Sequence, residues 1–401
     1  MEVGTMSVSE ANQERITQSK TVWYNDAQTR GLVFQAMLLV LVVVIGFTAY
    51  QNMIANMAAR GLLFGFDYLG RGAGFEIGES LIPYTATDTY GRALLVGLIN
   101  TIRVAIIGIV LSTILGVFLG IARLSKNPLL SGLVGGYIEV IRNTPLVLQL
   151  VFWYSIINAF PRPREAISPF PGFFLSNRGL KIPWIEWNDA LWPVVWAFVA
   201  GIVATIIAAR AYKRKQDETG KITPLWPTAL GLILGLPALA AIAMGWPIVP
   251  TIPVLAGFNF EGGATLTPEF FALLLGLTLY TAAFTAEIVR AGILSVSKGQ
   301  WEAGRSLGLT DGRIMRLIVL PQALRVIIPP LTSTFLNFTK NTSLATVIGY
   351  PDLVHVSNTT MNQTGRAVEA ILIFASIYLT LSLLTSAFMN WYNARVALRE
   401  R

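Results

Sequence analysis

The sequence has no cysteine, a single histidine (His355) and few charges: only 13% of its 401 residues are Asp, Glu, Lys or Arg. A soluble domain usually carries about 25%. Without Cys there is no disulfide framework, no thiolate metal site and no cysteine nucleophile. One His cannot build a His-rich metal centre. A disordered chain would be poorer in apolar residues than the 54% found here.

What the chain has in abundance is long apolar runs. They lie at 31–50, 94–122, 133–158, 190–211, 225–248, 269–290, 322–345 and 370–392. About 20 apolar residues suffice to cross about 30 Å of hydrocarbon. The composition therefore predicts an all-α, polytopic membrane protein of about eight transmembrane helices. The first run has a long polar leader and no clean small-x-small cleavage site, so it reads as an uncleaved anchor.

Charge placement orients the spans. With both termini inside, segments 1–30, 123–132, 210–224, 290–320 and 393–401 hold eighteen of the 30 Lys and Arg, and the outside segments hold eight. The positive-inside rule favours cytoplasmic termini, and the same bias accounts for the net charge of +8. Because the basic residues are spread over five segments, a nucleic-acid partner is not expected. The outside segments 51–91 and 159–189 are rich in Gly, Pro and aromatics, including Trp184 and Trp187. Such rings suit the headgroup level of a membrane or a docking surface for an extracytoplasmic partner. Gly116/Gly120 and Gly231/Gly235 have the small-xxx-small spacing of close helix packing.

The segment 293–321 is the most specific stretch. Ser297 and Gln300 have capping-box spacing, and Gly308 stands where a helix ends in a left-handed residue. Between them lies a helix of about two turns, too short to be stable alone. Trp301, Leu307 and Leu309 look uncovered, as they would on an element inserted into a partner's groove. Asp311 is expected to cap the next helical run.

Here the sequence resembles the membrane-spanning subunits of bacterial ABC importers, whose signature is Glu-Ala-Ala, three residues, Gly, nine residues, Ile, one residue, Leu-Pro. This chain has Glu302-Ala303-Gly304, three residues, Gly308, nine residues, Ile318, Val319, Leu320-Pro321. The one departure is Gly304 where Ala is usual. The resemblance implies a coupling helix that docks on a separate ATPase through Gln300, Trp301, Glu302, Ala303, Gly304, Arg305, Leu307 and Gly308. Glu139-Val-Ile-Arg142-Asn143-Thr144-Pro145-Leu146, Thr285-Ala-Glu287 and Lys340-Asn341-Thr342-Ser343-Leu344 look like polar-amino-acid permeases, with Asn143 replacing a usual Gly. The length and layout resemble the Q-type membrane subunits of general L-amino-acid uptake systems.

The division that follows is 1–91 (terminus, first span, periplasmic loop), 92–158 (first part of the permease core), 159–267 (inserted loop and two extra spans), 268–393 (second part of the core) and 394–401 (tail). The resemblance implies a bacterial inner-membrane location, a homologous permease partner (a paralogue), two ATPase subunits that bind the ATP and Mg, and a periplasmic amino-acid-binding protein. This chain itself is expected to need no cofactor and to be no enzyme. A phosphate loop needs Gly-Lys followed by Ser or Thr, and the only Gly-Lys, Gly220-Lys221, is followed by Ile222. The rival reading is a secondary transporter or channel working without an ATPase.

For the substrate pathway, a zwitterion in a low-dielectric core needs a cation and an anion. Arg103 and Glu287 are the candidates, Arg103 otherwise reaching towards the outer headgroups and Glu287 otherwise pairing with Arg290. Ser333, Asn337, Lys340 and Asn341 share one face of a run too polar for lipid, and Thr342 and Ser343 follow. Pro329-Pro330 should kink or break that helix, and Pro145 should interrupt the run 133–158. His355 reads as a solvated or satisfied imidazole.

Overall fold

The computed structural model describes residues 27–59, 64–220 and 223–396. The expected leader at 1–26, Arg60, Lys221, Ile222 and the last tail residues 397–401 lie outside the described residues. The chain divides into two units, 1–67 and 68–401. In the first, α1 (Ala27–Ala59) is 33 residues long and carries the first apolar run. At 1.5 Å per residue it is about 50 Å long, more than a bilayer core requires.

The second unit opens with a loop that leads into α2 (Tyr90–Arg123), whose first turn is capped by the Thr89 hydroxyl accepting from the Arg92 N–H at 3.2 Å. Asn127 caps α3 (Pro128–Asn143), with Pro128 in the first turn, where its missing N–H costs nothing. Next comes α4 (Leu146–Asn158), bent by 108° from α3 at Thr144-Pro145. The bend is held by Gln149, whose side-chain amide donates to the carbonyls of Ile141 (2.9 Å) and Thr144 (3.0 Å). So the run 133–158 is one broken span, as Pro145 leads one to expect.

Then follow β1 (Phe174–Ser176), β2 (Gly179–Ile182), β3 (Trp184–Ile185), α5 (Leu191–Thr219) and α6 (Trp226–Ala243, with a π turn at Gly231–Gly235). Four more strands come next: β4 (Pro250–Thr251), β5 (Val254–Ala256), β6 (Asn259–Glu261) and β7 (Ala264–Leu266). The remaining helices are α7 (Pro268–Leu294), α8 (Lys298–Ser306), α9 (Asp311–Ile348, with a π turn at Met315–Val319 and a 3-10 end at Thr342–Ile348), α10 (Leu353–Thr364) and α11 (Ala367–Val396).

Strand pairing fixes which ends lie together. β2 pairs antiparallel with both β1 and β7, and β3 with β4. The chain leaving α4 is therefore back at the end where α7 begins, so α3 and α4 together carry it across the bundle. α5 and α6 then form a hairpin that leaves from β3 and returns to β4. Helices α7, α9 and α11 add three crossings, which puts Val396 at the same end as α8. Seven described helices are long and apolar enough to span, and the bent pair brings the total to eight.

The fold is helical as expected, and seven short strands stitch only the loops between α4 and α7. One expectation fails: Pro329-Pro330 does not break α9, which runs through both, with Ile327, Ile328 and Leu331 buried against the ends of α7 and α11. Packing holds the segment where local hydrogen bonding is lost.

The core is organised on α7, the most buried of the spans. A Cβ at Gly116 would come within 2.5 Å of Thr285, and one at Gly120 within 2.7 Å of the Ala286 carbonyl, so these glycines set how closely α2 approaches α7. Gly231 and Gly235, of the same spacing, have nothing within 4 Å, and it is Gly201 of α5 that lies against Leu232 of α6. Helix α10 is short and stays at the strand end: Tyr90 donates to the Gln363 side chain at 3.0 Å, and the Leu353 N–H donates to the Thr101 hydroxyl at 3.1 Å.

Candidate functional site

The loop between α7 and α9 folds as one small unit. Helix α8 is nine residues long and cannot stand alone. Its C-terminus is closed by two bonds: the Gly308 N–H donates to the Arg305 carbonyl at 2.9 Å, and the Leu309 N–H to the Gly304 carbonyl at 3.1 Å. This is the Schellman arrangement, and it requires a left-handed residue, which Gly308 supplies at φ +73°. Gly304 is buried against Ile314, where a Cβ would sit 2.8 Å from Cγ1. That contact explains why Gly stands where the signature has Ala. Arg305 ties the helix to the start of α9 through Asp311, Nε to Oδ1 at 3.0 Å.

Three expectations for this loop need correction. Ser297 occupies the N-cap position but its side chain makes no capping bond. Thr310, not Asp311, is the cap residue of α9, and the Asp311 carboxylate is taken up by Arg305. Trp301 and Leu309 are not free apolar groups; they pack on the cluster of Val296, Ile314 and Val319. Leu307 remains, 77% exposed, beside exposed Gln300, Glu302, Ala303, Arg305 and Gly308. Downstream, the π turn at Met315–Val319 lies directly before Pro321, whose missing N–H leaves a regular ladder incomplete. The signature's Leu-Pro thus marks the joint between this small unit and the span.

At the strand end, Arg103 of α2 is fully engaged. Its guanidinium meets the Glu79 carboxylate and lies over the Phe270 ring, 4.1 Å from the centroid. The other Glu79 oxygen accepts from the Thr267 hydroxyl, and Asn100 donates to the carbonyls of Glu79 and Pro351, both at 2.9 Å. Burial pushes the Glu79 carboxyl up, against the opposing pull of Thr267 and Arg103. Arg103 does not reach for headgroups as the sequence suggests. Glu79 escaped the sequence reading because its loop looked like a surface segment. The same carboxylate lines a cavity of about 340 Å³ at the strand end with Glu76, Glu269 and His355, whose imidazole is half-buried.

Glu287 lies near the opposite end of α7, chelated by Arg290 Nε at 3.0 and 3.1 Å. Seventeen residues separate it from Phe270, roughly 25 Å along the helix. The structure does not bring Arg103 and Glu287 together, so they cannot grip the two ends of one amino acid.

The polar residues of α9 divide between two cavities. Asn337 and Asn341 face Tyr280, Thr281 and Phe284 of α7 around about 280 Å³. Lys340 and Ser343 open instead towards Tyr378 and Ser382 of α11, around about 470 Å³. Thr342 is buried and donates to the Thr339 carbonyl at 2.7 Å, a packing role. Ser333, Asn337 and Lys340 are exposed on α9. No group of His, Cys, Asp or Glu among the described residues could hold a metal ion.

Comparison with known proteins gives a consistent picture. Residues 227–398 match the family described as "Binding-protein-dependent transport system inner membrane component". The putative amino-acid ABC transporter permease protein YhdX of Escherichia coli is 47% identical over 389 residues, 96% of this chain and 99% of its own. The general L-amino acid transport system permease protein AapQ of Rhizobium johnstonii is 47% identical over 94% of each chain. The glutamate/glutamine/aspartate/asparagine transport system permease protein BztB of Rhodobacter capsulatus is 38% identical over 94% of this chain and 96% of its own.

Proposed function

The chain belongs to the amino-acid ABC transporter permeases, and from that premise we propose how its parts divide the work of import. It is the membrane-spanning permease of an ATP-driven importer of amino acids and is not itself an enzyme. The observation that carries this is the 47% identity to two amino-acid permeases over nearly the whole length.

Helix α8 is the coupling element. Its inner face is locked to α9 through Gly304, Ile314 and Arg305–Asp311, so a push on Gln300, Glu302, Ala303 and Leu307 moves the end of α9 rather than bending a loop. The ATP and Mg are held by the ATPase on which α8 docks, and on this reading α8 and Val396 lie on the cytoplasmic side of a bacterial inner membrane. The N-terminus is assigned to the same side by the charge bias.

The exposed stripe Ser333–Asn337–Lys340 is costly against acyl chains. It is covered by a second permease subunit, a paralogue, and the Asn337/Asn341 cavity belongs to the pathway between the two. Alternating access follows: ATP-driven closure of the ATPases draws the coupling helices together and opens the permease pair outward, towards a periplasmic binding protein carrying the amino acid. Residues 92–158 and 268–393 form the transport core. Segments 1–91 and 159–267 are additions to it, with Glu79 of the first addition latching onto the core.

The test is reconstitution of the chain with its ATPase, second permease and binding protein in liposomes. ATP-dependent uptake of labelled amino acids is expected, and Glu302→Lys should abolish uptake while the membrane subunits still co-purify. Transport by the chain with no ATPase present would instead establish a secondary transporter.

A further inference from the structure

The inserted hairpin α5–α6 has a face that no described residue of its own unit covers. Gly201 of α5 lies against Leu232, and Tyr212 exchanges a hydrogen bond with Thr228 at 2.8 Å, so the 201/212 side of α5 is turned to α6. Half a turn round the helix, Trp196, Val199, Val203 and Ile207 recur at three- and four-residue intervals and are each 42–65% exposed. The stripe then changes character. Ile207 and Ala211 share a surface cavity of about 580 Å³ with Arg210, Arg214 and Lys215, and Glu218 and Thr219 close its far edge.

These cations differ from others at the same end of the bundle. Arg290 is held by Glu287, Arg305 by Asp311, and Arg123 donates to the Ser131 carbonyl at 2.8 Å. Arg210, Arg214 and Lys215 have no ion pair or side-chain hydrogen bond among the described residues, although Glu218 is one turn from Arg214. An apolar strip that ends in unpaired cations, on the face of a candidate membrane span turned away from α6, has the polarity of one phospholipid molecule. Val199 to Ile207 covers about 12 Å of rise, close to the depth of one hydrocarbon leaflet. Guanidinium groups bind phosphate oxygens in paired, charge-assisted hydrogen bonds, and basic clusters just past a span attract anionic headgroups.

We propose that this face of α5 binds an anionic phospholipid, with its phosphate held by Arg210, Arg214 and Lys215 and an acyl chain along Val199, Val203 and Ile207. The site anchors the added hairpin in the leaflet on the α8 side. It rests on the spans lying in a bilayer and not on which solute is carried.

The assembled transporter is purified in mild detergent and retained phospholipid is measured by native mass spectrometry after mixing with equal phosphatidylglycerol and phosphatidylcholine. Phosphatidylglycerol should be retained at least tenfold over phosphatidylcholine. The triple variant Arg210→Gln, Arg214→Gln, Lys215→Gln should lose that preference, and the control Arg313→Gln, Arg316→Gln should keep it. Equal retention of the two lipids by the unaltered protein, or equal loss in both variants, overturns the proposal. So does full displacement of the lipid by millimolar inorganic phosphate, which would make the site one for soluble anions.

Discussion

The carboxylate of Glu79 bridges the guanidinium of Arg103 on α2 and the hydroxyl of Thr267 at the head of α7. A residue of the loop before α2 thereby pins two core helices at one end. The pair is largely buried, with side chains 19% and 9% exposed. Removing one partner leaves an uncompensated charge, so Glu79→Ala should destabilise the protein by about 3 kcal/mol, within the range for broken buried pairs. Arg103→Gln should add little to it. A thermal-melting double-mutant cycle in detergent checks this, and additive losses would show that the two act independently.

The same group sets a pH dependence. Burial outweighs the hydrogen bonds and raises the Glu79 carboxyl above its ordinary value. The folded state then binds the proton more tightly than the unfolded one. Stability contributed by this group is greatest at acid pH and falls as pH rises from the ordinary carboxylate value through the raised one. Melting temperatures across that window should fall in the native protein, and Glu79→Gln should flatten the slope. An unchanged slope in Glu79→Gln would assign the effect elsewhere.

Gly304 and Ile314 make a second coupled pair. Gly304→Ala restores the residue usual in the signature and gains about 1 kcal/mol of helix propensity, yet its Cβ would meet Ile314 at 2.8 Å. Overpacking of this kind costs about 1–3 kcal/mol. Gly304→Ala alone should therefore lower ATP-driven uptake, and Ile314→Ala on top, which removes the clashing Cγ1, should recover it. Uptake that is normal in the single variant would mean the joint between α8 and α9 is slack.

Much of this was legible from sequence because period and spacing carry it. Eight apolar runs gave the spans, and Pro145 marked the break between α3 and α4. The turn that closes α8 was legible because Gly308 answers a backbone demand that only local sequence sets. What stayed hidden depends on contacts made across the chain. Glu79 sits 24 positions from Arg103 and 188 from Thr267, and no periodicity points from one to the other. Trp301 looked free because its cover comes from residues beyond the next turn. Glu287 was the opposite case: Arg290 three residues on was visible from the start as its partner, and the structure keeps that pair.

Gly308 tests the backbone argument directly. Any L-residue with a Cβ pays about 1–2 kcal/mol at φ +73°, while Asn tolerates that region better than Ala. Gly308→Ala should reduce the amount of ATPase that co-purifies with the chain, and Gly308→Asn should reduce it less. Equal losses in the two variants would point to contact with the side chain and not to the turn.

The Asn337/Asn341 cavity separates a pathway from packing. Both side chains face α7 across an open space of about 280 Å³ bordered by Tyr280 and Phe284, and neither makes a side-chain hydrogen bond there among the described residues. Leu has the same number and branching of side-chain heavy atoms as Asn and is at home in a span, and the open space beside both positions can take its bulkier methyls, so Asn337→Leu with Asn341→Leu should leave melting temperature and co-purification of the partner subunits unchanged. If polar groups in this cavity replace the hydration of a passing amino acid, each unreplaced hydrogen bond costs about 1–3 kcal/mol, and uptake should fall at least tenfold. Uptake unchanged in the double variant would remove this cavity from the pathway and turn attention to the Lys340 side of α9.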